Sequence, residues 1–113
     1  MPTMQKAKRR RLEQAGWAVG DAGDFLRLSA EERRFIEAKL ALATGLRRLR
    51  ERLGLTQADV ARRIRSSQSR VAKMEAAHVS VSFDLLLRSL FSLGADDRDV
   101  ARLLTHKHRT RAA

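Results

Sequence analysis

The chain contains no cysteine and no tyrosine, and only one tryptophan, one proline and four phenylalanines in 113 residues. The absence of cysteine excludes disulfides and every metal site built on thiolates, zinc fingers included. No run of about eighteen apolar residues is present, and the basic N-terminus lacks the apolar stretch that a secretory signal needs. We therefore expect a cytoplasmic protein without a membrane partner.

Acidic residues are few, with 13 Asp and Glu against 24 Lys and Arg, and the formal net charge is +11 at pH 7. Such an excess makes a polyanion the expected partner, and DNA, RNA and an anionic membrane all fit that argument. Binding should weaken steeply as salt rises, by about 0.9 in log K per log salt for each phosphate neutralised.

The sequence also lacks a set of residues typical of catalysis. No serine or carboxylate has a paired base at a telling spacing, and no glycine-rich phosphate loop is present. His106 and His108 form the only close histidine pair, and their i, i+2 spacing in a basic tail is poor ligation geometry. We therefore expect neither an enzyme nor a cofactor or metal site.

The length suits one domain with a modest core, and the pattern predicts an all-α fold of five helices with an extended N-terminal helix and basic tails. Residues 1–15 are predicted as a basic disordered arm, 16–104 as the domain and 105–113 as a basic tail. The first helix runs to Leu53, either continuous or bent near Thr44 and Gly45, and the last two helices end at Leu93 and Leu104. Capping signals place the five helix starts after Ser29, Thr56, Ser67, Ser82 and Asp96.

Residues 55–75 predict two short helices joined by a tight turn, which is typical of a helix-turn-helix. At about 100° per residue, Val71 and Met74 share the inner side of the second helix, with Glu75 at its margin. The outer side suits base edges in a major groove, because Gln bonds adenine, Lys and Arg reach guanine, and Ala contacts a thymine methyl. The candidate base-reading residues are Gln68, Ser69, Arg70, Ala72 and Lys73.

A second set of residues is predicted to bind DNA phosphates. The first helix of such a motif lies across the sugar-phosphate backbone, where its N-terminus and Gln57 favour an anion. The predicted phosphate contacts are Gln57, Ser67, Arg47, Arg62 and Arg65. The alternative is an ordinary pair of surface helices whose polar side is only solvated.

The motif resembles the phage repressor and Cro type of helix-turn-helix, the Xre family. The resemblance rests on Leu55-Thr56-Gln57-Ala58-Asp59-Val60-Ala61 and Ser67-Gln68-Ser69-Arg70-Val71-Ala72-Lys73-Met74-Glu75. It implies a Cro-like fold and a structural ion pair between Arg50 and Glu75. The family usually has glycine in the turn, where a positive φ is wanted, whereas this chain has Arg65, so we expect about 1 kcal/mol of strain there or a shifted turn.

A longer stretch of the chain resembles the antitoxins of HigBA-like toxin–antitoxin modules. The matching segments are residues 17–21, 25–32, 39–42 and 67–75. The resemblance implies a homodimer that binds its own double-stranded operator DNA and neutralises a RelE/HigB-like ribonuclease toxin. The candidate partner-binding residues are Trp17, Phe25, Leu28, Glu31 and Glu32.

Several alternatives to this role stay open. The aromatic leader can instead fold back and extend the core, with no partner. The chain can also be a stand-alone or phage-derived repressor, or an interaction protein that associates with nucleic acid without reading bases. Residues 83–93 carry more apolar side chains than one helix face can bury, and we expect this helix to contribute to a dimer.

Overall fold

The computed structural model describes residues 7, 10, 11, 13–15 and 29–112, with side chains described as far as residue 105. Residues 29–112 form five α-helices and no strand. The helices are α1 (Ala30–Arg52), α2 (Gln57–Arg63), α3 (Gln68–Glu75), α4 (Phe83–Ser92) and α5 (Asp97–Ala112). Helix α2 packs on α3, and α1 packs against α3, α4 and α5. The predicted all-α fold with an extended first helix is confirmed.

The helices begin where the sequence predicts, at the N-caps Ser29, Thr56, Ser67, Ser82 and Asp96. At each start the side-chain oxygen of the N-cap accepts the backbone N–H three residues further on. At three starts the N-cap N–H also donates in return to the carboxylate of Glu32, Asp59 or Asp99. These reciprocal bonds satisfy donors that the first turn of a helix leaves free, so local sequence fixes where the helices start.

Four helices end in the same way, with one residue in the left-handed region directly after the C-cap. That residue is Gly54 after α1 (φ 72°), Arg65 after α2 (57°), Ala77 after α3 (56°) and Gly94 after α4 (100°). In each case the amide of the following residue donates back to a carbonyl five positions earlier, which is the Schellman arrangement. The turn at Arg65 therefore keeps the positive φ that glycine favours, and the backbone of Arg65 is strained because an arginine has a Cβ atom.

The core lies between α1 and the shorter helices. Its largest fully buried side chains include Leu42, Leu46, Met74, Leu86 and Leu90. Gly45 lies where α1 meets α5, and a Cβ added there would come within 2.5 Å of the Leu103 methyl groups. Helix α1 is therefore continuous through Thr44 and Gly45, where the sequence left a bend as one of two possibilities. Gly45 instead allows α5 to pack closely against α1.

Helix is also present in the described parts of both terminal segments. Residues 10, 11, 13 and 14, within the segment predicted as a disordered arm, are helical. Ala15 is buried, and its carbonyl accepts a hydrogen bond from the Val79 amide at 2.9 Å. At the other end, α5 continues through the predicted tail to Ala112. The hydrogen bond between Ala15 and Val79 joins residues far apart in sequence, so the local charge pattern does not predict it.

Candidate nucleic-acid interface

Helix α3 has the two faces that the sequence predicts. Val71 and Met74 are fully buried on its inner side. Its outer side presents Gln68, Ser69, Arg70 and Lys73, all exposed, with the half-buried Ala72 beside them. The polar side of the second helix of the motif is therefore open to a ligand, while its apolar side is fixed in the core.

Gln57 connects α2 to both ends of α3. Its Nε2 donates to Glu75 Oε1 at 3.1 Å, and its Oε1 accepts from Gln68 Nε2 at 2.6 Å. A side-chain amide nitrogen carries two hydrogens, so one remains for a phosphate oxygen. The structure thus gives Gln57 a role that the sequence did not predict, which is to hold a candidate base-reading side chain.

The ion pair between Arg50 and Glu75 is present and largely buried. Nε and Nη2 of Arg50 donate to the two carboxylate oxygens of Glu75 at 2.5 and 3.0 Å. The two side chains are 13% and 5% exposed, and Arg50 Nη1 also donates to the Leu55 carbonyl at 2.9 Å. The hydrogen bond to Glu75 raises the pKa of Arg50 despite its burial. This bidentate pair joins the end of α1 to the end of α3 and fixes the orientation of α3.

A cleft of about 140 Å³ lies beside the exposed side of α3. Its walls are Ser67, Ser69, Arg70, Lys73, Ser80 and Val81. Ser67 Oγ caps α3 by accepting the Arg70 N–H at 3.1 Å and shares a hydrogen bond with Ser69 Oγ at 3.2 Å. Hydroxyl groups and cations at the positive end of a helix dipole suit a phosphate oxygen. Ser80 was missed by the sequence reasoning, because nothing in its neighbourhood distinguishes it from any other loop serine.

The three arginines predicted to contact phosphates are all exposed. Arg47 Nε lies 3.2 Å from Glu51 Oε2, and Arg62 pairs with Asp59. Exposed ion pairs of this kind contribute at most about 1 kcal/mol, so both guanidinium groups can exchange a carboxylate for a phosphate. Arg65 occupies the left-handed position in the turn between α2 and α3, which places its charge within the motif.

The loop that forms one wall of the cleft is held from two sides. The Val79 amide donates to the Ala15 carbonyl, and Lys39 Nζ donates to the Val79 carbonyl at 3.4 Å. Lys39 is only 3% exposed, and burial lowers its pKa. Within the loop, His78 Nδ1 accepts the Ser80 N–H at 3.1 Å. Sequence reasoning missed Lys39 because its contact joins residues 40 positions apart.

The predicted partner-binding residues fall into two groups. Trp17, Phe25 and Leu28 lie outside the residues that the structure describes. Glu31 and Glu32 are exposed in the first turn of α1. Glu32 also closes the capping box of this helix, and its hydrogen bonds with Ser29 lower its pKa.

Phe35, one helical turn after Glu31, adds an exposed apolar group to that acidic turn. Its side chain is 50% exposed. Its ring lies 4.8 Å from the ring of Phe83, with a tilt of 58°. Contact with one aromatic neighbour therefore leaves the other side of the Phe35 ring open.

In the described part of the chain, no group of three or more His, Cys, Asp or Glu side chains is placed to hold a metal ion. None of the helices described has both the length and the apolar character needed to cross a membrane.

A short helix pair, a buried ion pair that orients the second helix, and an exposed polar row on that helix define a DNA-binding helix-turn-helix regulator. The chain belongs to the family described as "Helix-turn-helix domain", whose model matches residues 41–103, or 63 of the 113 residues. The match begins within α1, includes α2, α3 and α4 entirely, and ends within α5. Comparison with curated proteins finds no match, and neither does comparison with solved structures.

Proposed function

We propose that the protein is a cytoplasmic, non-enzymatic transcriptional regulator that recognises a specific operator sequence through α3. The observation that carries this proposal is the exposed row of Gln68, Ser69 and Lys73 on a helix whose inner side is locked by Arg50 and Glu75. Side chains that are already oriented lose less entropy when they bind. Gln68 meets this condition through its hydrogen bond to Gln57.

The phosphate contacts in this proposal come from around the same helix. Ser67 lines the cleft at the start of α3, and Arg62 and Arg65 add exposed charge from α2 and from the turn. These groups position the protein on the duplex, while the exposed side of α3 carries the sequence preference.

Operator recognition by this class usually needs two copies of the motif, and we propose a homodimer. Phe91 of α4 is 46% exposed, which supports a role for this helix in an interface between copies. A dimer would read two half-sites separated by about one helical turn of DNA. Sedimentation of the Phe91→Ser variant, compared with that of the parent chain, tests whether α4 forms the dimer interface. If the variant is still a dimer, α4 is not part of that interface.

Binding of the full chain to its own upstream DNA and to a shuffled duplex of equal length tests the regulator proposal. At about 150 mM salt, nonspecific attraction to phosphate is damped. We expect a preference for the upstream DNA, and Gln68→Ala should reduce it by about 1 to 3 kcal/mol. Arg62→Ala is the matched control, since loss of a phosphate contact should weaken both duplexes alike.

Equal and salt-sensitive binding to both duplexes would contradict sequence-specific regulation. It would favour the alternative of an interaction protein that associates with nucleic acid without reading bases. In that case neither variant would change the preference between the two duplexes. Arg62→Ala would weaken binding to both, because it removes a positive charge, and Gln68→Ala would not.

A second proposed role is that of an antitoxin in a HigBA-like module. The exposed acidic turn at Glu31 and Glu32, together with the half-exposed ring of Phe35, supports a docking surface for a basic ribonuclease. This surface belongs to the start of α1, whereas the proposed DNA surface is formed by α2, α3 and Arg47 near the other end of α1. One molecule can therefore hold both ligands at once.

If a neighbouring gene encodes a small basic ribonuclease, co-expression of the two proteins tests the antitoxin role. Glu31→Lys with Phe35→Ser should weaken toxin binding and leave DNA binding unchanged. Glu31 is preferred to Glu32 for this purpose, because Glu32 caps α1. Asp97→Lys, at an exposed position in the first turn of α5, is the charge-matched control. The absence of such a neighbouring gene, or full neutralisation by the double variant, would leave a stand-alone repressor.

A further inference from the structure

A long groove of about 950 Å³ runs along α1 on a part of the molecule that the motif does not use. Its lining on α1 extends from Glu37 to Leu53. At a rise of about 1.5 Å per residue this is about 24 Å, the length of a helix of roughly sixteen residues. The groove is completed by the end of α4, the start of α5 and the N-terminal segment. Among the described lining residues, none belongs to α2 or α3.

The floor of this groove is apolar. Six leucines line it, namely Leu40, Leu49, Leu53, Leu90, Leu93 and Leu103. Leu40, Leu90 and Leu93 are buried at its base, Leu49 and Leu103 are half-buried, and Leu53 is 47% exposed. A groove with such a floor and such a length suits the apolar face of an amphipathic helix better than a compact small molecule.

The rim of the groove is basic. Four arginines contribute to it, namely Arg11, Arg48, Arg52 and Arg102, against the two carboxylates of Glu37 and Asp99. Asp99 is already engaged, since it pairs with Arg102 and accepts a hydrogen bond from the Asp96 backbone, and that hydrogen bond is the main cause of its lowered pKa. The rim therefore keeps an excess of positive charge beside an apolar floor.

Arg48 and Arg11 show that part of this charge is unbalanced. Among the residues that the structure describes, Arg48 makes no ion pair, and it stands four positions before Arg52, an i, i+4 like-charge spacing that destabilises a helix. Arg11 Nη2 donates to Thr44 Oγ1 at 3.2 Å, and both burial and the charge of Arg47 lower its pKa. An anionic partner would relieve the repulsion among these groups.

We propose that this groove is a docking site for an acidic amphipathic helix of another protein, with the leucine floor receiving its apolar face and the arginine rim pairing with its carboxylates. A second copy of this chain fits less well, because each copy carries a formal net charge of +11 and would bring a second basic rim against the first. The proposal does not depend on the DNA role. It predicts that the partner and DNA bind together, since neither α2, α3 nor the predicted phosphate contact Arg47 lines the groove.

The test uses the full chain and a designed sixteen-residue helical peptide, with leucines along one side and glutamates flanking them. A peptide with lysines in place of the glutamates is the charge control. We expect the acidic peptide to bind at least about tenfold more tightly than the basic one. In NMR spectra it should shift the amides of residues 37–53 and 90–95, and not those of α3.

Variants decide whether binding uses the groove or only the net charge. Arg48→Glu should weaken the acidic peptide by about tenfold, and Leu53→Ser should weaken it by a similar factor through lost apolar contact. Arg63→Glu on α2 makes the same charge change outside the groove and should have much less effect. An operator duplex should leave the affinity for the peptide unchanged within about twofold.

Several results would overturn the proposal. The first two are no binding of the acidic peptide and equal binding of both peptides. The third is equal weakening by Arg48→Glu and Arg63→Glu. The fourth is amide shifts confined to α3, which would mean that the acidic peptide binds at the proposed DNA surface. If Leu53→Ser instead dissociated a dimer of the free protein, and the peptide competed with that dimer, the groove would belong to a second copy.

Discussion

Gln68 Nε2 lies 2.6 Å from Gln57 Oε1, so the first residue of α3 is held by the first residue of α2. Gln57 is held in turn by Glu75, which closes α3 and is fixed by Arg50. Three helices therefore contribute to the orientation of one exposed side chain. Under the proposed function, this relationship separates the roles of the two glutamines, with Gln68 contacting a base and Gln57 positioning Gln68.

Gln57→Ala should weaken recognition as well as binding. Loss of the hydrogen bond frees Gln68 to adopt other rotamers, so the preference for the operator over a shuffled duplex should fall, together with affinity for both. In a double-mutant cycle, Gln57→Ala and Gln68→Ala should be non-additive by about 0.5 kcal/mol or more. Fluorescence anisotropy with both duplexes measures these terms. Strict additivity would show that Gln57 binds phosphate independently of Gln68.

Arg50→Met should lower the free energy of unfolding by about 3 kcal/mol. The substitution leaves the Glu75 carboxylate buried without its main partner, and uncompensated buried charge is costly. Arg48→Met is the matched control, because it removes an exposed arginine two positions away on the same helix and should change stability by less than about 0.5 kcal/mol. Urea unfolding followed by circular dichroism measures both. Similar losses for the two variants would mean that the buried pair contributes no more than ordinary surface charge.

Arg65→Gly should stabilise the fold by about 0.5 to 1 kcal/mol, because glycine adopts a positive φ without the steric cost that a side chain incurs. Ala77→Gly relieves the same conformation but removes a fully buried methyl group, worth about 0.8 kcal/mol, so its net effect should be close to zero. If Arg65 also contacts a phosphate, its loss should reduce the slope of log K against log salt by about 0.9. Thermal unfolding and a salt titration give the two readouts. A loss of stability in Arg65→Gly would contradict the strain argument.

Acid should destabilise the fold through the capping carboxylates. Backbone hydrogen bonds from Ser29, Thr56 and Asp96 lower the pKa values of Glu32, Asp59 and Asp99 below their ordinary range. A folded pKa below the unfolded one means that this stabilisation is complete above about pH 4 to 5 and is lost as the pH falls through the folded values.

Unfolding free energies measured from pH 7 down to pH 2.5 check this expectation. Asp59→Asn removes one titrating group, and its stability should depend less steeply on pH below about 4 than that of the parent chain. Identical slopes for the two chains would show that the Thr56–Asp59 box does not contribute to acid sensitivity.

Much of the motif could be predicted because its signals are local. A capping box spans four residues, and the alternation of buried and exposed positions on α3 follows from helical geometry, so Ser67, Val71 and Met74 lie as expected. The ion pair of Arg50 with Glu75 came from resemblance, since nothing within either helix specifies the other. Ser80 beside α3 and Lys39 beneath its loop were missed because only long-range packing brings them there.

The helix starts, the split between α2 and α3, and the polar row of α3 were determined by the sequence alone, because each depends on interactions within about four residues. The tertiary structure decided which side chains those elements bring together. It brought Gln57 within hydrogen-bond distance of Gln68 and left Phe35 and Leu53 half-exposed. It also placed leucines from three helices beside a row of arginines. Such pairings depend on how helices that are distant in sequence pack together. The spacing of apolar residues in the sequence predicts which face of each helix is buried, but not which helix packs against that face.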